Sequence, residues 1–175
     1  MKHLIAFGIG LLACVGCARS EPMPPVVQPF VVERYLGVWY EQVRYDHSFE
    51  RGLESVSATY TQGDEGRINV GNRGWDAVSG RWSDAKGYGK SAGEADVGHL
   101  RVTFFWPFFG DYRIVYLDPA YQQVIVTGPD RSWLWIMTRE RDVSETTRTA
   151  LIQRAEALGF SKEGMIVVRH DRAPR

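Results

Sequence analysis

The residues that could do covalent chemistry in this chain are few and poorly placed for it. It has four His and two Cys. His47, His99 and His170 are scattered, there is no Gly-x-Ser-x-Gly, and no nucleophile has a base at a recognisable spacing. No catalytic residue, metal or cofactor is therefore expected. Non-covalent binding of apolar matter suits the composition better. Eight Phe, eight Tyr and six Trp in 175 residues supply a β-rich domain, an apolar pocket, or both. The stretch Tyr35 to Tyr45 concentrates them. Read as a strand, it sets Trp39, Glu41, Val43 and Tyr45 on one face. Gly37, at its entrance, lets the backbone bend or another chain approach closely. A carboxylate on such a face needs a partner if it is buried. Arg113 and Lys86 are both available to Glu41, and nothing in the sequence chooses between them.

The two thiols point to a different chemistry. Both lie in Leu11-Leu12-Ala13-Cys14-Val15-Gly16-Cys17, at the end of an apolar run that follows Lys2 and His3. The run is too short to span a bilayer stably and reads as a signal-peptide core. A Cys after a small residue is similar to the bacterial lipobox, where the thiol receives a diacylglycerol. Cys17 follows Gly16, gives the longer apolar core and leaves no free thiol in the mature chain. Cys14, after Ala13 with Leu11 upstream, is the alternative, and a secretory signal without lipid is a third reading. Ala18 to Pro29, with four prolines, reads as an extended tether. The expected organisation is a signal peptide over 1–16, a lipidated Cys and tether over 17–30, one domain over 31–171 and a tail over 172–175. A zero net charge argues against a nucleic-acid partner.

The elements that must position these residues are short strands separated by turn signals. Strands are predicted at Tyr35–Tyr45, Val56–Tyr60, Arg67–Gly71, Arg81–Lys90, Leu100–Trp106, Tyr112–Leu117, Gln122–Thr127 and Ser132–Arg139. Short connections make neighbours antiparallel. One helix follows, with Ser144 as N-cap, Leu151, Ile152, Ala155 and Leu158 as its apolar stripe and Gly159 at its end. Met165 to Val168 reads as a final short strand.

This order resembles the lipocalin family, an all-β fold built on an eight-stranded antiparallel up-and-down β-barrel with one C-terminal α-helix and a short final strand. Gly37-x-Trp39-Tyr40 matches the family's first signature. Leu117-Asp118 followed by Tyr121 matches the second loosely, with Leu117 where Thr is usual, and Arg139 matches the third. The runs Arg34–Glu41, Phe49–Glu54 and Gly128–Arg131 are similar to the bacterial outer-membrane branch of the family. In such a barrel successive strands alternate direction, so Gly37, Trp39, Asp118 and Arg139 meet at one closed end. Their expected role is structural closure, with the Arg139 guanidinium over the Trp39 indole. The resemblance implies an outer-membrane lipoprotein facing the periplasm. It implies a carrier of lipids such as lysophospholipids or fatty acids, serving membrane maintenance. It also allows a homodimer.

The other end is the mouth, with loops near His47–Gly52, Trp75–Gly80, Trp106–Gly110 and Gly128–Arg131. Phe108 and Phe109, beside Trp106, are expected in a mouth loop that covers an apolar ligand or touches lipid. Alternation drafts a cavity wall from Glu41, Val43 and Tyr45, from Val56, Ala58 and Tyr60, and from Val102, Phe104 and Trp106. The tether joins the first strand at the closed end. Two other functions stay open from residues alone: a carrier of haem or another small apolar ligand, and an envelope adaptor that binds protein through its aromatic loops.

Overall fold

The computed structural model describes residues 22–172; Cys14, Cys17 and the signal segment lie outside them. A single helical turn, α1 (Val32–Tyr35), precedes eight strands: β1 (Gly37–Arg44), β2 (Leu53–Gln62), β3 (Ile68–Asp76), β4 (Arg81–Ser91), β5 (His99–Phe105), β6 (Phe108–Leu117), β7 (Gln123–Thr127) and β8 (Trp135–Thr138). The helix α2 (Glu145–Ala157) and a two-residue β9 (Ile166–Val167) complete the order. Neighbours pair antiparallel, and β1 pairs with both β2 and β8, so the sheet closes into a barrel. Closure removes the unpaired edges that an open sheet exposes.

The predicted first strand begins too early. Val32 to Tyr35 coil into α1, and the strand starts at Gly37, whose φ of +101° suits a residue without a side chain. The Ser144 hydroxyl accepts from the Thr147 amide, as an N-cap should, and α2 buries Leu151 and Ala155. These join Val43, Val115, Ile125, Leu134, Ile136 and Phe160 in an apolar layer outside the barrel. A second layer fills the inside, around Trp39, Ala58, Tyr60, Val70, Leu100, Ile114, Val124, Val126 and Met137. The strands between helix and interior are therefore buried on both faces. That is why β6 to β8 read as continuous apolar runs rather than as alternation.

Candidate functional site

The barrel has a sealed end and an open one. At the sealed end the Arg139 guanidinium lies 4.0 Å from the centroid of the Trp39 indole. It also donates to the carbonyls of Val38 (2.9 Å), Arg34 (2.9 Å), Tyr35 (3.0 Å), Leu36 (2.8 Å) and Tyr121 (3.3 Å). One side chain thus satisfies carbonyls that the end of α1 leaves without helical partners. Gly37 suits this place, because its φ is +101° and a Cβ would crowd Arg139 Nη1 at 3.1 Å. Asp118 does not touch Arg139 through its side chain. Its carboxylate accepts from the amides of Ala120, Gln122 and Gln123 and so shapes the turn that presents the Tyr121 carbonyl.

Cross-strand partners share a face, so registers define the inner wall. Trp39 pairs with Ala58, Ala58 with Asn72 and Asn72 with Ala85. Tyr60, Val70 and Gly87 form a parallel row. Ala58 and Tyr60 are interior as expected, with Val102 and Phe104 packed against the same cluster. Val56 is buried beside Gly74 on the same wall.

Three expected wall residues are elsewhere. The β1–β8 register slips between Glu41 and Val43, so Gln42 is an extra residue and the alternation reverses. Val43 and Tyr45 therefore face outward toward α2, while Arg44 points in. Trp106 follows the end of β5 and is exposed in the turn to β6. The expected long mouth loop is likewise shorter: β6 already begins at Phe108. Phe108 is exposed, but Phe109 lies on the outer face against Tyr88, with Lys90 and Arg101 over its ring.

Arg44, inside, is the partner of Glu41 that alternation could not supply; Arg113 and Lys86 do not take that place. Its Nη1 lies 3.6 Å from Glu41 Oε2 and its Nε 3.9 Å from Glu50 Oε2. Nη2 donates to the carbonyls of Glu50 (2.8 Å) and Leu53 (3.1 Å), and Trp135 Nε1 donates to Glu50 Oε2 at 3.0 Å. The β1–β2 connection is thereby pulled over one side of the mouth, where His47 stacks on Trp133 and Phe49. Burial lowers the His47 pKa and favours the neutral ring. Burial pushes the Glu41 carboxyl well above its ordinary range; the charge of Glu50 adds to this and Arg44 opposes it. Deeper in, Tyr112 shares hydrogen bonds with the hydroxyls of Tyr35 (2.6 Å) and Tyr60 (2.8 Å). Burial raises all three phenols, which stay neutral.

On the β3–β4 side the wall is built of Asn72, Gly74, Ser83, Ala85, Gly87 and Gly89. Ser83 and Ala85 are exposed although they face inward, so the cup opens here to solvent. Small side chains leave room that larger ones would fill. Val70, Val102 and Phe104 pack in the apolar cluster further along this wall. Among the described residues no group of three His, Cys, Asp or Glu could hold a metal.

Residues 30–170 match the lipocalin-like domain family. The chain is a lipocalin. It is 39% identical over 170 residues to the outer membrane lipoprotein Blc of Escherichia coli K12, covering 95% of each chain. It is 36% identical over 170 residues to the Blc of Vibrio cholerae, covering 95% of this chain and 96% of that one. Insecticyanin of the tobacco hornworm Manduca sexta shares the fold, with a TM-score of 0.68 at 16% identity over 89% of this chain and 87% of that one. As a lipocalin of this branch the chain is a binding protein and not an enzyme, and it belongs to the outer membrane. Its signatures close the sealed end.

Arg44, Glu50, Tyr35, Tyr112 and Trp135 escaped the sequence reading. A trace of Arg44 is present in the sequence, since Glu41 and Arg44 stand three apart in the same strand.

Proposed function

We propose that this lipocalin holds a single-chain lipid, a lysophospholipid or a fatty acid, and stores or moves it in the bacterial envelope for membrane maintenance. The observation that carries the reading is the cup itself: apolar and aromatic at depth, sealed at one end by Arg139 over Trp39, with the small inward-facing Ser83 and Ala85 of β4 exposed toward the other. Such a shape takes one narrow acyl chain and leaves its polar end near the Glu41–Arg44–Glu50 cluster. The anchor is a diacylglycerol on Cys17, with Cys14 as the alternative, and the domain faces the periplasm.

Native purification followed by lipid extraction and mass spectrometry tests the ligand. Co-purified lysophospholipid or fatty acid at near one per chain is the expected result. An empty barrel that captures no lipid from mixed micelles sinks the proposal, and bound haem replaces it with another carrier function. The intact mass of the mature chain tests the cysteine.

A further inference from the structure

The N-terminal segment does not leave the barrel as a free tether at the sealed end. Pro24 and Phe30 are buried. The Phe30 amide donates to Asp96, the Val27 amide donates to Ile114 at 2.9 Å, and the Val27 carbonyl accepts from Gly98 at 2.9 Å. The approach at Gly98 is close: a Cβ there would lie 2.6 Å from Val27 Cγ2. Five residues nearer the N-terminus, the Pro22 carbonyl accepts a 2.6 Å hydrogen bond from Arg131. Arg131 belongs to the β7–β8 connection, on the mouth side. The segment therefore runs back along the wall from the sealed end to the rim.

The same rim carries the most exposed large apolar side chains of the described residues. Val78 is 93% exposed, Phe105 81%, Phe108 78%, Trp106 75% and Phe49 59%. They come from the ends of three separate hairpins, so the chain presents them together only through the fold. An exposed apolar rim of this kind marks a surface made to be covered.

We infer that residues 22–30 form a docked strap that brings the membrane anchor to the rim, so that the mouth faces the phospholipid surface and Phe105, Trp106 and Phe108 enter it. This rests on the anchored-carrier reading above. From Cys17 to Pro22 the chain spans at most about 18 Å. The ten residues of β2 make a strand about 33 Å long, or about 25 Å of height at the usual barrel tilt. That length of chain is too short for the barrel to invert, and a ligand can pass between bilayer and cup without the barrel turning over. A rim with its attachment point on the same side fits a lipid surface better than a protein partner or a second copy.

The test uses the full-length lipidated protein in phosphatidylethanolamine–phosphatidylglycerol vesicles whose acyl chains carry bromine, which quenches tryptophan on contact. Part of the emission should be quenched, and Trp106→Phe should remove that part. Gly98→Val, which drives the strap off the wall, should cut the quenching by half or more. Val27→Pro, which deletes the bond to Ile114, should do the same and serves if Gly98→Val fails to fold, as melting curves will show. No quenching of Trp106 in the wild type, or equal quenching in folded strap variants, overturns the inference. So does a dimer by light scattering that shields Trp106, since the rim then belongs to a second copy. Soluble Cys17→Ser protein titrated with a fluorescent fatty acid reads the carrier function separately. Fatty-acid binding without vesicle quenching overturns only the orientation; quenching without binding supports the orientation and overturns only the carrier.

Discussion

Arg139 does two jobs with one guanidinium, and this decides how its loss should behave. Trp39→Ala removes a fully buried indole and is expected to cost about 3–5 kcal/mol. Arg139→Ala strands the carbonyls of α1 as well as losing the ring contact, and a charged hydrogen bond contributes about 1.5–3 kcal/mol. The two losses overlap, so the double variant should be less destabilised than their sum in urea melts; strict additivity refutes the coupling. Arg139→Lys should recover little, because an ammonium cannot reach carbonyls on several sides at once. Glu41 gives a pH signature. Its folded pKa lies above the ordinary 4.5, so the folded chain holds the proton more tightly than the unfolded one. The stability this contributes is present below 4.5 and is lost as the pH rises through the folded pKa. Glu41→Gln should therefore gain on the wild type as the pH is raised from 4.5 toward neutrality. A difference that does not change with pH counts against a buried, strained carboxylate.

At the scale of elements, the bulge in β1 is the decisive feature. Gln42 is fully buried, and its amide donates to Thr138 Oγ1 (3.0 Å) and to the carbonyls of Glu140 (3.3 Å) and Arg141 (3.0 Å). The extra residue is thus held by three partners, and the strand must reverse its faces around it. Gln42→Ala should cost about 1–3 kcal/mol by removing these buried hydrogen bonds. It should also loosen the Glu41–Arg44 pair, readable as a smaller pH dependence. Strand β4 makes the opposite use of side-chain size. Ala85→Trp adds bulk at an exposed inward position, where nothing packed is displaced. Ligand affinity is expected to fall at least tenfold while the melting temperature barely moves. A variant that binds as well as the wild type would place the entrance elsewhere.

As a whole, the molecule is a barrel stiffened from outside. Helix α2 packs an apolar layer against the outer wall, and the N-terminal segment is hydrogen-bonded to Gly98 and Ile114. Ligand should then add to stability by mass action, by about 2.7 kcal/mol at a hundredfold excess over Kd. Calorimetry of delipidated protein with and without lysophospholipid checks this; an unchanged Tm at saturation would mean that the lipid does not occupy the folded cup.

The sequence alone determined the eight strands, helix α2, the final short strand and their order, though not α1, because strand periods, turn residues and the Ser144 cap act over a few neighbours. It also determined the sealed end: once eight strands alternate direction, Trp39 and Arg139 must meet, whatever the details of register. Which residues line the cup was decided only in the tertiary structure. A single extra residue at Gln42 exchanges the faces of Val43 and Arg44, and period-two reasoning has no means of seeing it. The course of residues 22–30 was equally hidden. Four prolines within this stretch favour an extended chain, and the bare backbone of Gly98 and the reach of Arg131, distant in sequence, turn that chain into a strap.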